Sequence, residues 1–149
     1  MKFKMLNFLP LFLSVSALAG LGEGVGSIEK DRQSFSGTHR FVQTKGSHTL
    51  HEIVNRDLKV REYISKDGVI FAISWRGNHH PDLEKLLGKY FQDYQQTLQT
   101  TRRVRGRLAH SQIKGADVIV TKFGHMRALQ GKAYVPALMP QGMDPNEIK

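Results

Sequence analysis

The stretch Leu58–Arg76, LKVREYISKDGVIFAISWR, decides how this chain is read. Leu58–Ser65 and Val69–Arg76 are two strand-like runs flanking Lys66-Asp67-Gly68, and Asp-Gly favours the positive φ angles of a tight hairpin turn. In the second run Val69, Phe71, Ile73 and Trp75 share one face by the two-residue period of a strand. Ile70 and Ala72 make the other face apolar as well, which predicts a strand buried on both sides, at the middle of a sheet.

Upstream, Thr38–Thr44 and His48–Asn55 flank Lys45-Gly46-Ser47 and read as a second hairpin. Downstream, Pro81–Leu98 reads as one helix. Pro81 suits its first position, Asp82 and Glu84 complement its positive end, and Leu83, Leu86, Leu87, Tyr90, Phe91, Tyr94 and Leu98 form one apolar stripe. Gly88 sits near the edge of that stripe, at a cost of ~1 kcal/mol relative to Ala, and a close approach of another backbone is one reason for it. Arg103–His110 and Asp117–Phe123 then read as strands around Lys114-Gly115. Gly124-His125 reads as a turn, followed by short strands at Met126–Gln130 and Lys132–Val135. Strands, one helix, then strands again predict α+β: an antiparallel β-sheet of hairpins with one amphipathic helix packed on one face.

The 149 residues hold 22 Lys+Arg, 13 Asp+Glu, seven His and no Cys, with 40% hydrophobic residues. That is ordinary globular composition, and the length suits a single domain. Lacking cysteine, the chain has no disulfides, thiolate nucleophiles, cysteine metal sites or lipid-modified cysteine. A formal charge of +9 favours anionic partners. Residues 1–19 read as a secretory signal peptide. Lys2 and Lys4 precede the uncharged run Met5–Ala19 (MLNFLPLFLSVSALA), and Ala17 and Ala19 supply a small-residue cleavage site. That run of about 15 residues contains Pro10 and falls short of the ~20 that a spanning helix needs, so no transmembrane anchor is expected in the mature form. The expected location is periplasmic or secreted, after cleavage near Ala19. Residues 20–37, with five glycines among polar residues, read as a flexible leader, and residues 38–149 as the folded domain.

Three groups of residues carry a resemblance. They are Val60-Arg61-Glu62-Tyr63 with Asp67–Ala72 and Trp75; Pro81-Asp82-Leu83 with Leu86-Leu87-Gly88 and Tyr90-Phe91; and Met126-Arg127-Ala128 with Gly131–Pro136. In that order and behind a signal peptide, they resemble a bacterial family of small exported proteins, domain of unknown function 2844. The resemblance covers about Arg61 to Ile148 and implies export to the envelope of a Gram-negative bacterium. It implies no activity, and the run Arg102–Arg107 departs from its pattern.

Catalytic and metal-binding patterns are weak. His48 and His51, three apart on a strand, point to opposite faces, and His79-His80 are adjacent, a poor arrangement for one metal. The zinc-protease helix motif, the Gly-x-Ser-x-Gly elbow and a phosphate loop following a strand are all missing, so no cofactor is expected. Trp75 with Tyr63 and Tyr90 is a candidate ligand groove, although aromatics at such spacing also serve a core. Arg103, Arg105 and Arg107 share a strand face ~6.6 Å apart and are candidate anion ligands. Their plain alternative is a charged edge that discourages aggregation. The expected function is a non-catalytic exported module binding an anionic envelope polymer, a lipid head group or a protein partner. Export argues against physiological nucleic acid. The alternative is an envelope hydrolase or metal-dependent enzyme, which would bring three or more of His51, Glu62, His79, His80 and Asp82 into one cleft.

Overall fold

The computed structural model describes residues 20–101 and 110–149. The central hairpin forms as its sequence predicts: β3 (Leu58–Ser65) and β4 (Ile70–Gly77) pair antiparallel across a turn in which Gly68 takes φ +79°. On the β3 side lie β2 (His48–Val54) and β1 (Thr38–Lys45); on the β4 side lie β7 (Ala128–Tyr134), β6 (Ile119–His125) and β5 (His110–Lys114). The seven strands make one antiparallel sheet with β4 at its centre, buried from Ile70 to Trp75. After β4 the chain crosses to the far edge through helices, then returns inward to pair β7 with β4. The architecture is α+β.

Among the described residues three α-helices accompany the sheet: α1 (Ile28–Ser34), α2 (Leu83–Leu87) and α3 (Phe91–Thr100). Expecting one helix over 81–98 was therefore wrong in detail. Gly88 takes φ +50° and ends α2, a 3-10 turn follows through Tyr90, and α3 starts afresh. The apolar spacing continues through this break, so periodicity alone reads as one helix. Asp82 is the N-cap of α2, accepting from the Glu84 amide, which places Pro81 just before the helix. Asp93 of α3 accepts from the amides of Ala116, Asp117 and Val118 and so ties this helix to the β5–β6 turn.

The glycine-rich stretch 20–37 is not a flexible leader. Leu21 is fully buried and Ile28 nearly so, and Leu21, Gly22 and Val25 donate main-chain hydrogen bonds to Leu86, Ile70 and Gly68. A Cβ on Gly20 would lie 2.4 Å from the Leu86 carbonyl oxygen, so glycine here permits backbone contact rather than looseness.

Phe71 is also displaced from expectation. The β3–β4 register slips between Tyr63 and Ile64, pairing Tyr63 with Ala72 but Ile64 with Ile70, so Phe71 is the extra residue of a β-bulge. Ile70 thereby joins Ile73 and Trp75 in the cluster that Leu21, Leu86, Leu87 and Tyr94 cover. Phe71 turns to the opposite face, against Tyr63 and Ile148, where the C-terminal residues Leu138, Met139 and Met143 pack. Of the strand expected at Arg103–His110 only His110 lies among the described residues, where it begins β5 (His110–Lys114). The two short pieces expected after Gly124 are one strand, β7, entered through a turn at Met126-Arg127.

Candidate functional site

Alternation along β3 sends Leu58, Val60 and Ile64 toward the helices and leaves Lys59, Arg61 and Tyr63 on the other face. The sheet register then carries that face across four strands. Arg61 is paired with Ser74, Ser74 with Lys132 and Lys132 with Thr121; one pair along, Lys59 meets Arg76, Arg76 meets Gln130 and Gln130 meets Phe123. The C-terminal segment around Asn146, Ile148 and Lys149 closes one side of these rows. Between them lies a cleft of about 730 Å³.

Every charged residue lining the cleft is basic: Lys59, Arg61, Arg76, Lys132 and Lys149. Ser74, Gln130 and Asn146 add neutral polar groups and Phe123 an apolar wall. The acid nearest these residues in the register is Glu52 of β2, paired with Arg61 and only 1% exposed. Arg61 Nε donates to it at 2.9 Å, Arg40 binds its other oxygen, and Lys59 Nζ stands 3.5 Å away. Burial pushes the Glu52 carboxyl up, but the hydrogen bonds from Arg61 and Arg40 outweigh it and hold the group below its usual range. Glu52 thus orients Arg61 and Lys59 while offsetting part of their charge. Arg76 is exposed, and its guanidinium has no side-chain partner among the described residues. Lys132 Nζ donates to the Pro145 carbonyl at 2.6 Å, and its burial pushes the ammonium down.

One oxygen in this region is heavily solvated by protein. The Lys149 main-chain oxygen accepts from Ser74 Oγ at 2.7 Å, Tyr63 Oη at 2.8 Å and Arg61 Nη1 at 3.2 Å. Three donors on one oxygen is an arrangement suited to a carboxylate or phosphate oxygen.

Of the residues singled out from sequence, Trp75 lines this cleft and Tyr63 donates to the Lys149 oxygen beside it. Arg103, Arg105 and Arg107 lie outside the described residues. The proposed groove of Trp75, Tyr63 and Tyr90 does not form, because Trp75 and Tyr90 pack with the helices and Tyr63 faces the opposite side of the sheet. His48 and His51 do point to opposite faces: His48 meets Tyr63 and Phe71, whereas His51 stacks on His39 with Nδ1 2.8 Å from His39 Nε2. His80 accepts from the Trp75 indole, Asp82 caps α2, and Glu62 is sealed in the core beside Asp31. These groups do not converge on one cleft. Among the described residues no group of three or more His, Asp or Glu is placed to hold a metal ion. The alternation of Lys59 and Arg61 was visible in sequence, but nothing local signalled that β7 would bring Lys132 beside them.

A profile of the family described as "Protein of unknown function (DUF2844)" matches residues 17–148. The chain belongs to this family. No curated protein and no solved structure matches it. The DUF2844 match spans all seven strands, the segment 20–37 and every cleft residue except Lys149. Among the described residues no helix is long and apolar enough to cross a membrane.

Proposed function

We propose that this chain is an exported, non-catalytic module that binds an anionic group of an envelope component in the cleft between β3, β4, β7 and the C-terminal segment. The observation that carries this reading is the lining itself, with five basic side chains and no acid. Arg76 and Lys59 would meet a carboxylate or phosphate at the open side, and Phe123 would meet the apolar part of its bearer. Hydrolysis is a poorer reading because Asp31 and Glu62 lie in the helix-side core and Glu52 is saturated by cations.

The test uses purified full-length chain lacking residues 1–19, titrated with phosphatidylglycerol vesicles, phosphatidylcholine vesicles and polygalacturonate at low and high salt. Charge-driven binding weakens as the Debye length contracts to ~3 Å at 1 M salt. Replacing Lys59, Arg76 and Lys132 by Gln together is expected to weaken the salt-sensitive binding at least tenfold, with a native circular dichroism spectrum showing that the variant is still folded; Arg76→Gln alone, which removes no structural hydrogen bond among the described residues, should weaken it in the same direction. The vesicle and polysaccharide arms distinguish the two sources of the anion. Equal binding by variant and wild type overturns the site. Substituting Arg103, Arg105 and Arg107 by Gln in parallel measures whether that cluster contributes further cations. Export rests on the pattern of residues 1–19, and its expected result is an envelope-fraction chain whose mass begins at Gly20. A product retaining Met1–Ala19 overturns that part.

A further inference from the structure

Building on the anion-binding reading of the cleft, we infer that Ser74, Tyr63 and Arg61 form a carboxylate subsite that the chain fills with its own segment 143–149. The ligand is an acidic polymer with repeated carboxylates, which displaces that segment. Three donors from two strands meet at one point: Ser74 Oγ from β4, and Tyr63 Oη and Arg61 Nη1 from β3. Tyr63 and Ser74 are each 4% exposed, and Tyr63 packs against the rings of His48 and Phe71. Arg61 is fixed by Glu52 through Nε, which leaves Nη1 for the same point. The sheet and its packing therefore set the three donors, and what they hold is one oxygen of Lys149.

The segment that fills the subsite is hung so that it can leave. It belongs to no strand or α-helix, and its regular part is a single 3-10 turn, Pro145–Glu147, capped by Asp144. Gly142 precedes it at φ +78°, and a Cβ there would meet no atom within 4 Å, so nothing packs against this pivot. Leu138 and Met139, which come before the pivot, pack on the cluster of Tyr63, Phe71 and Ala72 and need not move with the segment. Within 143–149 only Ile148 is buried, at 3% exposed, and it is the anchor. Lifting the segment frees four donors at once, because Lys132 Nζ is spent on its Pro145 carbonyl.

A tethered occupant competes at an effective concentration on the order of millimolar, so a lone carboxylate displaces it poorly. A polymer displaces it by making contacts that the segment does not. On the same face Lys59 and Arg76 stand one pair along from Arg61 and Ser74, ~6.6 Å further on strands that rise ~3.3 Å per residue. Arg76 has no side-chain partner among the described residues. Lys132, released from a neutral carbonyl, gains a bond about twice as strong from a charged oxygen. One carboxylate in the subsite thus sets the next within reach of Arg76 and Lys132. A singly charged group fits the subsite better than a dianion, since its donors are two neutral hydroxyls and one guanidinium already shared with Glu52.

The test titrates the chain lacking residues 1–19 with polygalacturonate, galacturonate monomer and phosphatidylglycerol vesicles, and follows hydrogen exchange in the complex. Saturating polygalacturonate is expected to lower protection of the Ile148 and Lys149 amides, which the free protein donates to the Pro145 carbonyl and Tyr63 Oη. Ile148→Ala loosens the anchor and should tighten polygalacturonate binding at least ~3-fold, because the closed state no longer competes. Ile148→Val should move the same way by less, and serves if the first variant folds poorly. Adding Ser74→Ala to either variant should weaken binding at least ~3-fold by removing a subsite donor. Unchanged or weaker binding by both Ile148 variants, or a rise in protection of the two amides in the complex, overturns the displacement. The cleft reading then survives if Arg76→Gln still weakens binding. Equal affinity per carboxylate for monomer and polymer, or binding confined to vesicles, overturns the polymer as ligand. No salt-sensitive binding by any of these proteins overturns both the displacement and the cleft reading.

Discussion

Phe71→Ala and Leu87→Ala are each expected to lower unfolding free energy by about 2–5 kcal/mol, and the double variant to lose the sum within ~0.5 kcal/mol. Both side chains are fully buried, and each deletion leaves a cavity that a close-packed interior refills only in part. Near-additivity follows from the bulge. Phe71 packs with Tyr63, Ile148 and the C-terminal segment, whereas Leu87 packs with Ile73, Trp75 and the N-terminal segment on the other face. Had Phe71 kept the two-residue period and faced the helices, the two cavities would merge and the losses would couple. A domain of this size is stable by roughly 5–15 kcal/mol, so the double variant should sit near its midpoint without denaturant. Urea midpoints at constant slope measure this. A loss below ~1 kcal/mol for either single variant, or a coupling above ~1 kcal/mol in the double, contradicts the two-faced core.

What the sequence made legible was local chemistry. Asp67-Gly68 fixes a turn wherever the chain goes, and apolar side chains at both phases of Ile70–Trp75 place that strand centrally in any sheet. The features that were missed depend on distant partners. The stripe Leu83–Tyr94 keeps its spacing across Gly88, and only the positive φ taken in the fold separates α2 from α3. Gly20 and Gly22 look like spacers until Leu86 and Tyr90 are seen against them. Glu62 belongs to a residue type that is rarely fully buried, yet in the fold it has no exposed surface. The cleft is non-local for the same reason, since Lys132 comes beside Arg76 and Ser74 through a β4–β7 pairing more than fifty residues apart in sequence. The arginines at 103, 105 and 107 were prominent because they are contiguous, whereas a site assembled by register leaves no contiguous mark.

Trp75→Ala is expected to cost about 3–5 kcal/mol, and the loss should be strongly coupled to Gly131. Trp75 and Gly131 are cross-strand partners on β4 and β7, and the indole fills the space a side chain at 131 would take. A Cβ there would lie 2.2 Å from Cζ2 and 2.5 Å from Cε2 of Trp75, and 2.8 Å from the Thr121 carbonyl oxygen. The far side of the ring is fixed too: Nε1 donates to His80 Nδ1 at 2.9 Å, and the two rings meet edge to face. That bond requires neutral His80, and burial, helped by the charges of Lys122 and His79, pushes its imidazole down in the same direction. An indole held at both sides cannot step aside, so Gly131→Ala should itself cost about 1–3 kcal/mol by overpacking. In a Trp75→Ala background two of the three close atoms are gone, leaving only the contact with Thr121. The double variant should therefore lose at least ~1 kcal/mol less than the sum of the singles in a denaturant-based cycle. Strict additivity would mean that the indole does not lie over Gly131, and the β4–β7 register that assembles the cleft would have to be redrawn.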